Sequence, residues 1–151
     1  MIALTLSFCF LHGVLCNVQK RNPLSYIPGD LTVRENGLIL STGLRSKVIA
    51  ESGKKVRLTS IGSRSNDGFL PRPDGAACFP FPDGDGWVYA INSEEENKNG
   101  GVGAIYFDKR GKVTDYKMVL SKTSRNCSGG KTYWNTWVSC EVRIENFKRI
   151  A

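Results

Sequence analysis

The sequence predicts an all-β chain, and three observations carry that prediction. No window of about 11 residues keeps a helical period. The apolar runs are short and dominated by β-branched and aromatic residues, which suit a pleated, half-buried surface. From Gly37 onward, Gly, Pro, Asp and Asn punctuate those runs at regular spacing. Many short strands with such turns fit a sandwich, a barrel or a propeller. About three propeller blades of about 40–50 residues would fit, but no clean internal repeat selects the propeller by period alone.

In order along the chain, Asn17 to Asp30 is polar, carries Pro23 and Pro28, and reads as an extended lead-in. Gly37–Ser41 is the first strand candidate. Lys47–Ala50 and Lys55–Thr59 flank Glu51-Ser52-Gly53-Lys54, which reads as a hairpin turn. Ser60 to Pro73 reads as a loop. Ala77-Cys78-Phe79 is a short apolar run between two Pro-Asp-Gly turns, Pro73 to Gly75 and Pro82 to Gly84. Gly86–Asn92 is the clearest strand. A loop from Glu94 to Gly101 follows, and Val102–Asp108 and Lys112–Leu120 form a hairpin across Lys109-Arg110-Gly111. Ser121 to Lys131 is Gly- and Ser-rich and reads as a loop, and Thr136–Cys140 is the last strand.

Met1 to Cys16 contains no Lys, Arg, Asp or Glu and is rich in Leu, Phe, Ile and Val. It is shorter than the roughly 20 residues a membrane span needs, and it reads as a secretory signal peptide cut between Cys16 and Asn17. No later stretch is apolar enough to span a bilayer. The cut leaves about 135 residues, one ordinary domain. The only histidine, His12, leaves with the signal, so the secreted chain has no His base, His metal ligand or His-activated nucleophile. Cys78, Cys127 and Cys140 remain, an odd number in an oxidising compartment, which means one pair plus one thiol or a partner outside the chain.

The net charge of +7 is unevenly spread. Residues 17–65 hold nine Lys/Arg against three Asp/Glu, residues 66–107 two against seven, and residues 108–151 ten against four. The basic flanks read as solvated surface or as an attraction for phosphate-bearing ligands. Basic residues are not interleaved with aromatics along one face, so nucleic acid is not an expected partner. The acidic island is the candidate metal site. Asp74 precedes a strand, Glu94 follows the one ending at Asn92, and Glu141 sits beside Cys140. Hard cations such as Ca²⁺ are held by carboxylates gathered from several strand ends, and a metal can generate a hydrolytic nucleophile without histidine. Trp87, Trp134 and Trp137 read as packing aromatics. Asn126-Cys127-Ser128 is an N-glycosylation sequon, with Asn126 as the acceptor.

Several stretches together carry a family resemblance. They are Pro73-Asp-Gly-Ala-Ala-Cys-Phe-Pro80, Gly86-Trp-Val-Tyr-Ala-Ile-Asn-Ser-Glu94, Gly100-Gly-Val-Gly-Ala-Ile-Tyr-Phe-Asp108, Thr123-Ser-Arg-Asn-Cys127, Gly129-Gly130-Lys-Thr132 and Trp134-Asn-Thr-Trp-Val-Ser-Cys-Glu141. Over residues 37–141 the chain resembles the PhoX-type alkaline phosphatase family, in its eukaryotic or algal-like branch. The resemblance implies an all-β, partial β-propeller, the first blades of a six-bladed ring. It implies phosphate monoester substrates and a calcium- and iron-containing cluster held by Asp74, Glu94, Glu141 and Cys78. It also implies that Cys78 is the odd thiol, leaving Cys127 and Cys140 as the disulfide pair. A catalytic residue does not follow, nor does a site for an organic cofactor.

The resemblance stops after Glu141, where the family continues with a second Glu and this chain has Val142. Residues 142–151 read as an unrelated tail. Glu141-Val142-Arg143 can be encoded GAG-GTA-AGA, which contains a typical intron start, so the tail is expected to be intron read in frame. The expected organisation is a signal at 1–16, a lead-in at 17–36, a phosphatase-like part-propeller at 37–141 and the tail at 142–151. The expected function is the N-terminal part of a secreted metal-dependent phosphomonoesterase, inactive as this chain alone. The alternative is a non-catalytic extracellular propeller used for binding or adhesion, since propellers host both. Secreted material should begin at Asn17 on N-terminal sequencing, and an intact Met1 on cytosolic protein would sink the signal reading.

Overall fold

A computed structural model describes residues 31–142 and the backbone of 2–4. Most of the expected signal, the lead-in up to residue 30 and the tail from residue 143 lie outside the described residues. The chain is all-β. The strands are β1 (Ile2–Leu4), β2 (Val33–Glu35), β3 (Leu38–Leu40), β4 (Val48–Glu51), β5 (Lys55–Leu58), β6 (Ser63–Gly68), β7 (Pro73–Pro80), β8 (Gly86–Ser93), β9 (Gly100–Asp108), β10 (Val113–Thr123), β11 (Asn126–Lys131) and β12 (Trp137–Glu141). No helix among the described residues is long and apolar enough to cross a membrane. Contacts divide the chain into one unit of residues 4–48 and another built on residues 49 onward.

In the smaller unit, β2 and β3 pair antiparallel with Glu35 opposite Leu38. The turn is Asn36-Gly37, with φ of 51° and 78°, the two left-handed positions a tight hairpin turn of this length requires. Asn36 Nδ2 donates to Ser46 O at 3.0 Å, and Ser46 N donates to Glu35 Oε2 at 2.7 Å. Val33–Glu35 lies inside the stretch expected to be an extended lead-in, and the Asn-Gly dipeptide was the signal for the hairpin.

The larger unit is organised by a four-stranded antiparallel sheet in the order β10-β9-β8-β7, in which every strand pairs with its neighbour in sequence. Register puts Cys78, Tyr89, Ile105 and Tyr116 in one row across the four strands. Period-2 alternation sends that row, with Ala76, Trp87, Ile91, Phe107 and Val113, to one face. There the row's members on β8, β9 and β10 meet Ala50, Val56, Leu58, Phe69 and Leu70 in the hydrophobic core, while Cys78 on the edge strand stays exposed. Trp87 stacks on Phe107 with ring centroids 5.2 Å apart, so its expected packing role holds.

Four expectations are corrected. The hairpin is not Lys47–Ala50 with Lys55–Thr59; β5 pairs instead with β6, inside the stretch expected to be a loop. A turn does form at Glu51–Lys54, where Lys54 N donates to Glu51 O, but Gly53 and Lys54 then bond Phe69 rather than returning the chain along β4. Buried Ser65 makes the polar β6 viable. Its Oγ accepts from Val56 N at 2.9 Å and donates to Asp67 O at 2.6 Å. Pro73-Asp74-Gly75 is not a turn but the start of β7, an edge strand of its sheet, where proline's missing N–H costs no ladder bond. Residues 121–131 are largely strand, the end of β10 and all of β11. The second expected turn, Pro82 to Gly84, and the β9–β10 hairpin across Lys109-Arg110-Gly111 are as expected. In the latter, Gly111 has φ 74° and Asp108 Oδ1 accepts from both Arg110 N and Lys112 N.

Tyr116 locks the core to the β6–β7 connection. It is buried, its ring lies 5.4 Å from that of Phe69, its hydroxyl accepts from Leu70 N at 2.9 Å, and it donates to Met118 Sδ. Tyr116→Phe leaves the Leu70 N–H buried without a partner and should cost about 1–3 kcal/mol in urea denaturation. Burial also raises the Tyr116 pKa above its ordinary value. The folded state therefore holds the phenolic proton more tightly than the unfolded one, and stability falls as pH rises past about 10. That alkaline loss should be shallower in Tyr116→Phe; an unchanged slope would show that Tyr116 does not cause it.

Candidate functional site

At the start of β7 and the end of β8, Pro73 pairs with Ser93, and Glu94 N donates to Arg72 O at 3.0 Å. Arg72 precedes β7 in the left-handed conformation at φ 42°, and this backbone bond sets Glu94 across from it, beside Asp74 at the start of the strand. Together with Pro73 these side chains line an open depression of about 440 Å³. Two of the four expected metal ligands, Asp74 and Glu94, are thus brought to one place.

The other two are not. Glu141 does not line the depression; its Oε1 accepts from Ser124 N at 2.9 Å and holds the β10–β11 connection. Cys78 stands four residues beyond Asp74 on an extended strand, about 13 Å along it at about 3.3 Å per residue. Burial raises the Cys78 pKa, an effect Lys131 partly offsets, and a raised pKa disfavours the thiolate that binds metal. Among the described residues, no group of three or more His, Cys, Asp and Glu is arranged to hold a metal ion.

The acidic loop after β8 is braced by two arginines. Arg72 Nε lies 3.4 Å from Glu95 Oε1 and Arg125 Nη2 lies 2.9 Å from Glu96 Oε1. Arg125 N also donates to Glu95 O at 2.7 Å, and Lys98 N to Ser124 Oγ at 2.9 Å. Arg72, Asn97, Lys98, Lys122 and Arg125 all have φ between 42° and 63°, a conformation side chains other than Gly and Asn seldom take. Glu95 and Glu96 are thereby neutralised, while Asp74 and Glu94 face solvent in the depression. Arg72, read from the sequence as loop, is the site residue that reasoning missed. No sequence pattern marked it, because its left-handed backbone breaks the strand period.

Beneath this end of the sheet lies a buried polar network. Asn92 is 0% exposed; its Oδ1 accepts from Trp137 Nε1 and Ser139 Oγ, each at 2.9 Å, and its Nδ2 donates to Ser128 O at 2.8 Å. Asn126, 1% exposed, donates to Ser139 Oγ at 2.9 Å and accepts from Thr123 Oγ1. Gly129 lets the Trp137 ring approach so closely that a Cβ there would lie 2.5 Å from it. Two expected site features lie here. Asn126, the expected glycan acceptor, is buried with its Nδ2 engaged in the folded chain. Cys127 and Cys140 are not bonded, and both are free thiols, as is Cys78. Val142 N donates to Arg125 O, which makes Asn126–Glu141 the close, non-hydrogen-bonded pair of this ladder. The cysteines fall one step further on, where a bulge sets Cys127 and Ser128 together against Cys140. Trp137 is a network member rather than simple packing, and Trp134 is 74% exposed rather than buried in a core.

No protein-family model, curated protein or solved structure matches this chain. Asn92→Ala would strand the indole N–H of Trp137 and the carbonyl of Ser128 together, and should lower unfolding free energy by about 3 kcal/mol. A loss under about 1 kcal/mol by urea denaturation would show the network to be incidental.

Proposed function

We propose that this chain is the N-terminal part of a secreted, metal-dependent phosphomonoesterase built on a β-propeller. The observation that carries the reading is the depression in which Asp74 and Glu94 stand beside Arg72. Paired carboxylates are the donors a hard cation takes, and a guanidinium is the side chain best shaped for a phosphoryl group. The propeller part of the proposal is supported by the four-stranded meander, the unit from which blades are made.

The residues present do not fit a complete calcium- and iron-containing cluster. Calcium takes about six to eight oxygens, and a thiolate suits iron better than calcium. The depression offers two carboxylates, and Cys78 stands away from it with a raised pKa. The remaining donors would have to come from further blades of a longer chain. The alternative, a non-catalytic extracellular module, is favoured by the absence of a three-ligand group among the described residues.

The purified chain should release no phosphate from p-nitrophenyl phosphate with Ca²⁺ and Fe³⁺ present, and should bind Ca²⁺ weakly, with binding lost in Asp74→Asn/Glu94→Gln by calorimetry. A transcript that continues past Glu141 into further carboxylate-bearing strands would support the reading. Calcium binding unchanged by the double substitution, or metal-dependent phosphate release by this chain alone, would overturn it.

A further inference from the structure

The β11–β12 turn has an unusual surface. Tyr133 is 100% exposed and Trp134 74% exposed, side by side at the tip. The turn beneath them is braced. Thr132 N donates to Thr136 O at 2.9 Å, Asn135 N to Thr132 O at 3.2 Å, and Thr136 N to Thr132 Oγ1 at 3.0 Å, while the two threonine hydroxyls lie 2.9 Å apart. Asn135 takes the left-handed conformation at φ 61° that closes it. The tip is therefore a fixed projection rather than a loose loop. From Thr132 to Thr136 it carries no charged residue.

We propose that this tip docks on a lipid bilayer, seating Tyr133 and Trp134 among the headgroups. Three features select that partner. Tyr and Trp are the side chains that favour the membrane interface, each with an apolar body and a polar handle. The turn can enter the interface without burying a charge, and three of its N–H groups are already bonded within it, which removes much of the cost of leaving water. Finally, a projecting pair of aromatics buries only about 150–250 Å² per side chain, well short of the roughly 800 Å² per partner of a stable protein interface; a bilayer needs only depth. The charge distribution agrees, because Lys131 directly precedes the turn and residues 108–142 carry seven Lys/Arg against three Asp/Glu, an excess drawn to an anionic leaflet. The proposal is independent of phosphatase activity.

The test is co-sedimentation of the full chain with phosphatidylcholine vesicles, with and without phosphatidylserine, at low and physiological salt. Binding should be tighter to the anionic vesicles, should persist in part at physiological salt, and should weaken on the order of tenfold or more in Tyr133→Ala/Trp134→Ala. Both side chains are exposed, so the double variant should keep the wild-type circular dichroism. Single Trp134→Phe should remove a blue shift in tryptophan emission that vesicles induce in the wild type. Three outcomes would overturn the proposal: no vesicle binding, binding equal in the double variant, or binding abolished by salt, which would mark simple charge adsorption. Capture of a protein partner through the two aromatics, without vesicle binding, would overturn it too.

Discussion

The side-chain amide of Asn92 is the constraint on which the acidic end of the sheet depends. It is wholly buried at the end of β8, with three partners on β11 and β12. A buried amide with only some of its bonds satisfied would cost more than it contributes. The network therefore acts as a lock, holding the two-stranded β11–β12 ladder on the four-stranded sheet in one register. A two-stranded ladder alone is marginal in water. With the lock in place, Arg125 at the head of β11 reaches Glu96, and Ser124 reaches Glu141 and Lys98. The loop that presents Glu94 is thereby fixed from below.

How much was legible depends on where each segment's stability comes from. β8 and the β9–β10 hairpin were readable because their order is local, with β-branched and aromatic runs and a Gly111 turn that only a few sequences satisfy. β6 and β11 were not readable. Ser63-Arg-Ser-Asn-Asp-Gly68 and Asn126-Cys-Ser-Gly-Gly-Lys131 have turn compositions, and they become strands because buried Ser65 and Asn126 find partners on other strands. Sequence composition does not report bonds to distant residues. Pro73 misled for a related reason, since proline marks a turn in isolation and an edge in a sheet.

The candidate site was half legible for the same reason. Asp74 and Glu94 flank the β7–β8 ladder, and pairing across a hairpin brings residues at its open end together whatever else the chain does. Glu141 was joined to them because it too follows a strand, and Cys78 by resemblance alone; neither lies on that ladder's open end. Strand geometry separates Cys78 from Asp74 by four residues of extended chain, and Glu141 is occupied by a backbone N–H. Arg72 escaped notice because its left-handed φ, which aims it at Glu95, is set by tertiary contacts.

The exposed surfaces divide by how they are protected. β10, a long edge strand, is interrupted by three irregularities and carries Lys117 and Lys122, devices that discourage pairing with another chain. β7 carries prolines at both ends, and Lys131 Nζ takes the Cys78 carbonyl at 3.2 Å. Lys117 and Lys131 also lie over the rings of Tyr106 and Phe79, at 4.7 and 5.0 Å from the centroids, which covers aromatic surface on the face opposite the core. Against that background Tyr133 and Trp134 stand out, because among the described residues no cation lies over their rings and the turn that carries them is braced by hydrogen bonds at both ends. Rigidity at an exposed aromatic tip lowers the ordering cost of binding. A turn whose only task was to join two strands would need neither aromatic, and the Thr132–Thr136 bracing spends hydrogen bonds on holding the pair outward.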